Sequence, residues 1–189
     1  MKRVRAVDWL TAGLKLLSGY GESALTLDRL CGAMHKTKGS FYHHFGDMNT
    51  YVGALLEHWQ QLQTKAPIDV AETAPDPRAR LDLLERTVMG LDHHLDQIIR
   101  AWARRDPRAA AALKAVDQTR LGYIRKLLEE DGIDAEQASL MAELEYTTFL
   151  GAQQRFEDLT SAEARSLVTT LRHAMAALLG RGNRPSTSG

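Results

Sequence analysis

The sequence predicts an all-α fold in two parts, and three observations support this. Apolar residues recur at three- and four-residue spacing along almost the whole chain, which is the period of an amphipathic helix. No segment shows the strict alternation of apolar and polar residues that a half-buried strand requires. A proline-rich stretch separates an N-terminal group of predicted helices from a C-terminal group.

The composition is that of a globular protein of ordinary size. The chain has 189 residues, of which 44% are hydrophobic and 25% are charged, so it can bury a substantial core. Charges interrupt every apolar segment before the roughly 20 residues that a membrane-spanning helix needs, so we expect no membrane partner. The basic start reaches Asp8 without the apolar run of a secretory signal, and Cys31 is the single cysteine. These features predict a cytoplasmic protein without an intramolecular disulfide.

Four helices are predicted in the N-terminal part. Thr26 and Thr37 are suitable N-caps for the second and third helices, because a threonine hydroxyl accepts a hydrogen bond from a free amide at a helix start. Gly19 and Gly21 are expected to end the first helix, and a longer fourth helix begins near Asp47. The predicted helices span residues 4–18, 26–34, 37–44 and 47–65.

Residues 66–77 are predicted to be a linker, since they hold three of the five prolines and lack an apolar stripe. Four more helices are expected beyond it, with Asp134 and Ser161 as N-caps of the last two. Residues 78–180 would form a second helical domain, and residues 181–189 a frayed polar tail. The predicted helices of this domain span residues 78–104, 107–131, 134–156 and 161–179. The first of them is expected to break near Gly90.

Charge is distributed unevenly along the chain, although the formal net charge is zero. Residues 1–45 carry seven Lys or Arg and three Asp or Glu, whereas the remaining residues carry 17 and 21. The N-terminal part is therefore basic, and the rest of the chain is acidic by the same amount. A basic lobe on a neutral protein favours local contact with a polyanion.

Residues 26–45 are predicted to form a helix-turn-helix, two short helices joined by a tight turn, whose second helix can enter the major groove of DNA. Phe41 and Phe45 lie four residues apart and share a face that can pack on the first helix. Gly39 and Ser40 are small, so the backbone at the helix start can approach a duplex closely. The outward face of the second helix is predicted to carry Lys38, Tyr42 and His43.

The segment "LTLDRLCGAMHKTKGSFYHHF", residues 25–45, resembles the DNA-binding segment of the TetR family (TetR/AcrR type) of bacterial transcriptional regulators. The likeness is strongest in "TKGSFYHHF" and covers about residues 5–60. The stretch "WARRDPRAAAALKAVDQTRLGYIRKLLEEDG" is similar to one in ligand-binding domains of this family. The resemblance implies a helix-turn-helix DNA-binding domain over residues 1–46, a connecting helix over residues 47–65 and a C-terminal helical ligand-binding and dimerisation domain.

The resemblance also implies roles for individual side chains. Contacts to phosphates set the register of a protein on DNA, and contacts to base edges specify the sequence. Packing roles are the alternative for Tyr42 and His44. The residues expected to contact DNA are Thr26, Lys36, Thr37, Lys38, Gly39, Ser40, Tyr42, His43 and His44.

Three positions depart from the pattern of the family. His35 and Lys36 occupy the turn where a glycine and a small apolar residue are usual, and Met48 replaces a lysine found just beyond the second helix. Histidine tolerates the left-handed conformation better than a branched residue does, so we expect the turn to persist. Met48 removes one expected phosphate contact.

A small-molecule effector pocket among the helices of residues 78–180 is a further implication of the resemblance. Polar and aromatic residues that interrupt the apolar stripes are the candidates to line it. Ordinary packing or a surface position is the alternative for each, and Asp117 with Arg120 can simply form an exposed helical ion pair. The candidate ligand-binding residues are His94, Trp102, Asp117, Tyr123, Glu145, Tyr146 and Phe149.

The last two predicted helices have more apolar surface than one core requires, which is typical of helices covered by a second copy of the chain. A homodimer would place its recognition helices about one DNA turn, ~34 Å, apart and so favour a palindromic operator. Burial within one chain is the alternative. The predicted interface residues are Leu140, Leu144, Gly151, Leu171, Ala174, Met175 and Leu178.

The seven histidines lack the spacing of a metal site. No Asp or Glu lies three residues before a histidine, and His-Glu-x-x-His, Gly-x-Ser-x-Gly and Walker-type motifs are absent. We therefore expect no metal, no cofactor and no catalytic residue.

The predicted function is a ligand-responsive homodimeric repressor. The alternative is a helical small-molecule-binding or dimerisation protein, and a helical-bundle enzyme is a more distant one.

Overall fold

The computed structural model describes residues 4–182, with their side chains except those of residues 172, 176 and 178–182. This part of the chain contains helices and no strand, so the predicted all-α class is confirmed. None of the described helices combines the length and the apolar character needed to cross a lipid bilayer. The α-helices of residues 4–182 are α1 (Ala6–Tyr20), α2 (Leu27–Met34), α3 (Lys38–Phe45), α4 (Met48–Gln60), α5 (Ala66–Ala71), α6 (Pro77–Met89), α7 (His93–Ala103), α8 (Pro107–Glu130), α9 (Ala135–Arg155) and α10 (Ala162–Gly182).

Local chemistry sets the ends of the first three helices. The hydroxyl oxygens of Thr26 and Thr37 accept hydrogen bonds from amides three residues further on, at 3.3 and 3.4 Å, so both predicted N-caps are confirmed. Helix α1 continues past its predicted end to Tyr20, where Gly21 has a positive φ of 73° and ends the helix. The two short helices of the predicted helix-turn-helix therefore begin where the sequence indicates.

One hydrophobic core joins the N-terminal helices to α7 and α8. Trp9, Phe41 and Tyr51 are fully buried, and the ring centroid of Phe41 lies 5.5 Å from that of Trp9 and 5.2 Å from that of Tyr51. The same core extends through Ile99 of α7 to Val116 of α8, both of which are also fully buried. The basic N-terminal unit and the start of the C-terminal part are therefore packed together.

Gly13 allows α1 and α4 to approach closely. The hydroxyl of Tyr51 donates a hydrogen bond to the carbonyl oxygen of Trp9 at 3.0 Å. A Cβ atom at position 13 would lie 1.9 Å from that hydroxyl oxygen, so a larger residue there would force the two helices apart.

The predicted linker over residues 66–77 is wrong in its first half. Residues 61–65 form a π-helical turn, and α5 follows without a break, so the helical segment that begins with α4 ends at Ala71. Pro67 lies in the first turn of α5, where its fixed φ suits a helix. The wider hydrogen-bond spacing of the π turn gives room for the proline ring against the preceding turn. Proline in this sequence context therefore modifies a helix and does not end it.

Helix α8 is the centre of the C-terminal part and packs against α4, α6, α7 and α9. The predicted break near Gly90 is confirmed, since α6 ends there and Asp92 caps α7. Asp134 and Ser161 accept hydrogen bonds at the starts of α9 and α10, as predicted. Helix α10 reaches Gly182 and so includes the first two residues of the predicted tail. The other tail residues lie outside the described part of the chain.

Candidate functional site

The turn between α2 and α3 is closed by a left-handed residue. His35 has φ 50° and ψ 47°, and it is the one residue other than glycine with positive φ between residues 4 and 182. This conformation brings the amide of Lys36 to 3.0 Å from the carbonyl oxygen of Cys31, which closes the end of α2. The expectation that histidine preserves the turn is therefore confirmed.

Helix α3 has one packed face and one exposed face, as its sequence predicts. Phe41 and Phe45 are 0% and 7% exposed and pack into the core beneath the helix. Tyr42 is 48% exposed, and His43 on the same outward side is also exposed. The other residues predicted to contact DNA that are exposed are Thr26, Thr37, Lys38 and Gly39, and those that are half-buried are Lys36, Ser40 and His44.

The predicted phosphate-binding lysine of α3 has a partner within the chain. The Nζ atom of Lys38 lies 2.7 Å from Oδ1 of Asp28 on α2, and these side chains are 59% and 79% exposed. The hydrogen bond and the charge of Asp28 raise the pKa of Lys38 above its ordinary value. Because both groups are in water, the pair is weak and can open at little cost. The sequence interpretation did not include Asp28, although it belongs to the surface that surrounds α3.

A cavity of about 120 Å³ lies between the α4–α5 segment and helices α6 to α10. Aliphatic side chains from several helices form much of its lining, with Ile68 from α5, Leu84 and Val88 from α6, Ile124 from α8 and Leu171 from α10. Polar side chains of α7, α8 and α9 complete it. The cavity therefore has the mixed lining of a small-molecule site.

Four of the seven predicted ligand-binding residues line this cavity, namely Tyr123, Glu145, Tyr146 and Phe149. The other three do not. Trp102 is buried in the core shared with the N-terminal helices. His94 is exposed and lines a separate surface cleft. Asp117 does not line the cavity itself but accepts a hydrogen bond from the hydroxyl of Tyr146, which does.

Arg120 lines the cavity and uses all five of its N–H donors within the protein. Its Nη1 lies 2.6 Å from Oδ2 of Asp96 and 3.4 Å from the hydroxyl of Tyr146. Its Nη2 donates to the carbonyl of Gln63 at 3.0 Å and to Asp96 at 3.4 Å, and its Nε donates to Thr64 at 3.0 Å. Burial lowers the pKa of Arg120, but the charge of Asp96, its hydrogen bonds and the contact with Tyr146 together outweigh burial, so the pKa is raised overall. Arg120 therefore stays charged and fully bonded.

Asp96 connects this cluster to the helix that leaves the N-terminal unit. Its side chain is buried, and its Oδ1 accepts a hydrogen bond from Nε1 of Trp59 at 3.0 Å. Trp59 belongs to α4, which packs on α1 and α3. A continuous chain of contacts thus runs from the cavity through Arg120 and Asp96 to α4. Asp96 was not among the predicted site residues, and Arg120 was considered only as a partner of Asp117, although an aspartate beside the apolar stripe of α7 was a signal for a buried partner.

The ion pair of Asp117 with Arg120, which was the alternative to a ligand-binding role for Asp117, does not form. Asp117 pairs instead with Arg100 of α7, at 2.6 Å between Oδ1 and Nη2, because Arg120 is directed to Asp96. Tyr146 donates a hydrogen bond to Asp117 at 2.6 Å and accepts one from Arg100 at 2.8 Å. Burial raises the pKa of Tyr146 to about 12, so its hydroxyl stays protonated. One tyrosine therefore joins two charge pairs at the cavity wall.

The predicted interface residues on α9 and α10 differ in how exposed they are in the single chain. Leu140 and Leu144 are 63% and 42% exposed, and Gly151 and Ala174 are exposed as well. Met175 is 4% exposed within the single chain, so it has almost no surface left for a partner to cover. The remaining two predicted residues are Leu171, which is half-buried against the cavity, and Leu178, whose side chain lies outside the described part of the chain.

The overall structure is similar to solved transcriptional regulators. No family model matches the sequence, and no curated protein matches it. A TetR transcriptional regulator from Legionella pneumophila has a TM-score of 0.71 at 12% identity, over 94% of this chain and 99% of that one. A TetR-family regulator from Mesorhizobium loti has a TM-score of 0.70 at 16% identity, over 93% and 98%. NemR from E. coli, in its reduced form, has a TM-score of 0.68 at 17% identity, over 92% and 95%. The chain therefore has the fold of TetR-family transcriptional regulators.

Proposed function

We propose that this protein is a transcriptional regulator that binds DNA through α3. The observation that carries the proposal is the exposed face of α3 in a capped helix-turn-helix. Phe41 and Phe45 attach the helix to the core, the turn at His35 sets its direction, and Tyr42 and His43 remain available. A fold shared with transcriptional regulators adds support. We assign no catalytic role to the chain.

The proposed contacts follow from the chemistry of each side chain. Hydroxyl groups and the free amides at the start of α3 suit phosphate oxygens, as do the lysines beside them. Lys38 reaches a phosphate or a base edge when its exposed pair with Asp28 opens, which costs little. The residues proposed to contact DNA are Thr26, Lys36, Thr37, Lys38, Gly39, Ser40, Tyr42, His43 and His44.

The second part of the proposal is a homodimer formed through α9 and α10. Leu140 and Leu144 lie four residues apart on α9 and expose apolar surface that one chain leaves uncovered. A symmetric contact there would present two α3 helices to DNA, about one helical turn (~34 Å) apart. The operator is then expected to be palindromic.

The third part is repression that responds to an effector in the cavity. The lining includes Arg120 and Asp96, and Asp96 is bonded to Trp59 of α4, so an occupant contacts the cluster that holds α4 in place. An effector shifts DNA binding only if it binds one arrangement of α4 more tightly than the other. The contact chain from the cavity to α4 supplies a physical route for such a difference.

Selection of genomic fragments by the purified protein, followed by footprinting, tests the DNA-binding proposal. The expected footprint is symmetric and palindromic, and Lys38→Ala should weaken binding by roughly tenfold and reduce its dependence on salt. Lys114→Ala is the matched control, because Lys114 is exposed on α8, outside the helix-turn-helix. We expect this variant to bind DNA like the original protein.

Absence of any selected fragment would overturn the proposal and favour a helical protein that only binds small molecules or dimerises. An equal loss of affinity in the two lysine variants would also contradict it, because the effect would then be one of overall charge. An asymmetric footprint would remove the proposed palindrome.

A further inference from the structure

We propose that the cavity binds a compact, uncharged and largely apolar molecule, about as large as a single aromatic ring. This inference rests on the proposed function, because it names the class of effector that such a regulator would sense. Three properties of the cavity support this class of ligand: its volume, the state of its cationic side chain and the state of its acidic side chains.

The volume limits the size of the occupant. The cavity measures about 120 Å³ and is lined on several sides by aliphatic side chains such as Leu84, Val88 and Ile124. An apolar cavity of about 150 Å³ is known to hold benzene. A single ring, or an aliphatic group of equal size, therefore suits this space, whereas two linked rings exceed it.

The guanidinium group of Arg120, the cation of the lining, has no unused hydrogen-bond donor for an anionic ligand. Arg120 has five N–H donors, and all five are directed to Asp96, Tyr146, Thr64 and the carbonyl of Gln63. An anionic ligand would have to break one of these bonds and compete with Asp96 at 2.6 Å. Leaving a buried donor or acceptor without a partner is costly, so the arrangement disfavours carboxylates and phosphates.

The acidic groups of the lining are likewise engaged. Asp96 accepts hydrogen bonds from Arg120 and Trp59, and Glu85 and Glu145 each have interaction partners of their own. A cationic ligand would lose its hydration on entry and would have to displace one of these partners. The lining thus satisfies its own charges. Two of its neutral polar atoms, Nε2 of His93 and the hydroxyl of Tyr123, have no hydrogen-bond partner in the described part of the chain, and the rest of the surface left for a ligand is largely aliphatic and aromatic.

The direct test uses ligands that share one ring and differ in charge at pH 7. Toluene, benzoate and benzylamine are titrated into the protein without DNA, with binding followed by ligand-observed NMR and calorimetry. We expect toluene to bind at least about tenfold more tightly than either charged compound. Tighter or equal binding of benzoate or benzylamine, or no binding of toluene up to its solubility, would overturn the proposal.

Biphenyl tests the size limit in the same assay. It is uncharged and apolar like toluene but contains two linked rings, so we expect it to bind more weakly than toluene. Equal or tighter binding of biphenyl would show that the site accepts larger molecules, and the single-ring class would then be wrong.

A matched pair of variants locates the binding site. Leu84→Phe adds bulk to the cavity lining and should reduce toluene affinity at least about tenfold. Val70→Phe makes the same kind of change at a position on α5 that is 44% exposed and outside the lining, and should leave the affinity unchanged. Retained affinity in Leu84→Phe would place toluene elsewhere and defeat the proposal. If that variant does not fold, the charge series on the unmodified protein still decides.

The ligand assays and the DNA assays fail independently. Toluene binding is measured without DNA, and fragment selection is measured without toluene. A protein that selects DNA but prefers benzoate would refute the ligand class alone. A protein that binds toluene in the cavity but selects no DNA would refute the proposed function alone.

Discussion

Arg120 and Asp96 form a charge pair at 2.6 Å between α8 and α7, with side chains that are 13% and 4% exposed. Because both charges are buried, each compensates for the lost hydration of the other. The pair also bonds to the π turn of the α4–α5 segment through Gln63 and Thr64 and to α4 itself through Trp59. Its removal should therefore affect both stability and the position of α4.

The substitution Arg120→Met should lower the free energy of unfolding by about 3–5 kcal/mol, because Asp96 would remain buried without its partner. Urea unfolding at fixed protein concentration measures the change. Arg125→Met is the control, since Arg125 makes an exposed pair with Glu129 and should change stability by no more than about 0.5 kcal/mol. Similar losses in the two variants would contradict the importance assigned to the buried pair.

Trp59→Phe should destabilise the protein more than Trp9→Phe, although both tryptophans are fully buried. Nε1 of Trp59 donates to Asp96, and its removal leaves the carboxylate with one donor fewer, at a cost of about 1–2 kcal/mol. Nε1 of Trp9 has no hydrogen-bond partner in the described part of the chain, so its removal costs packing only. Chemical denaturation of both variants makes the comparison, and a larger loss for Trp9→Phe would refute it.

His35 has a left-handed backbone conformation that glycine adopts without strain. We expect His35→Gly to stabilise the protein by about 0.5–1 kcal/mol and His35→Val to destabilise it by about 1–2 kcal/mol. Thermal unfolding of the two variants checks the order. A stabilising valine would mean that the turn changes conformation when the residue is replaced.

The stability of the start of α8 should depend on pH through Asp106. Hydrogen bonds from the side chain of Arg108 lower the pKa of Asp106 to about 2, and bonds from the backbone amides of the first turn add to this. A lowered pKa in the folded state means that the stabilisation is complete above the unfolded pKa of ~3.9 and is lost as the pH falls through about 2. Asp106→Asn retains an N-cap but carries no charge. Its unfolding free energy should therefore fall less steeply below pH 4, and identical pH profiles would contradict the assignment.

The double substitution of Leu140 and Leu144 by Glu should disrupt the proposed dimer, because it places four charges in a contact that we expect to be apolar. Analytical ultracentrifugation should show a shift from dimer to monomer with unchanged helix content. Val70→Glu introduces a charge at another exposed apolar position, and this variant should still sediment as a dimer. A dimer that persists in the double variant would place the interface elsewhere.

Helix starts could be predicted from the sequence because they depend on neighbours within one turn. The N-cap side chains accept hydrogen bonds from backbone amides two or three residues further on, as seen at Thr26, Thr37 and Asp134. Such short-range bonds can be predicted without knowledge of the tertiary fold. The continuation of this helical segment past Lys65, into the predicted linker, was missed for a related reason. Pro67 ends many helices, and only a widened turn before it allows this one to continue.

Side-chain partners across helices could not be predicted in the same way. Asp117 and Arg120 are neighbours along α8, but each takes a partner from α7, to which α8 packs. Aromatic residues were better guides, since Tyr123, Tyr146 and Phe149 interrupt apolar stripes and do line the cavity. Trp102 interrupts an apolar stripe in the same way but lies in the core. The helix that packs against Trp102 is set by the tertiary fold, which the spacing of residues along α7 does not reveal.

The core that extends from Trp9 to Val116 has a consequence for how such a molecule can move. Closely packed interiors resist shear, so α1, α3, α4, α7 and the first half of α8 should behave as one rigid unit. An occupant of the cavity cannot bend the helix-turn-helix against α7 without opening this core. Under the proposed function, it would instead rotate the whole unit relative to α9 and α10, whose residues lie outside this core. In the proposed dimer, such a rotation by a few degrees would change the separation of the two α3 helices.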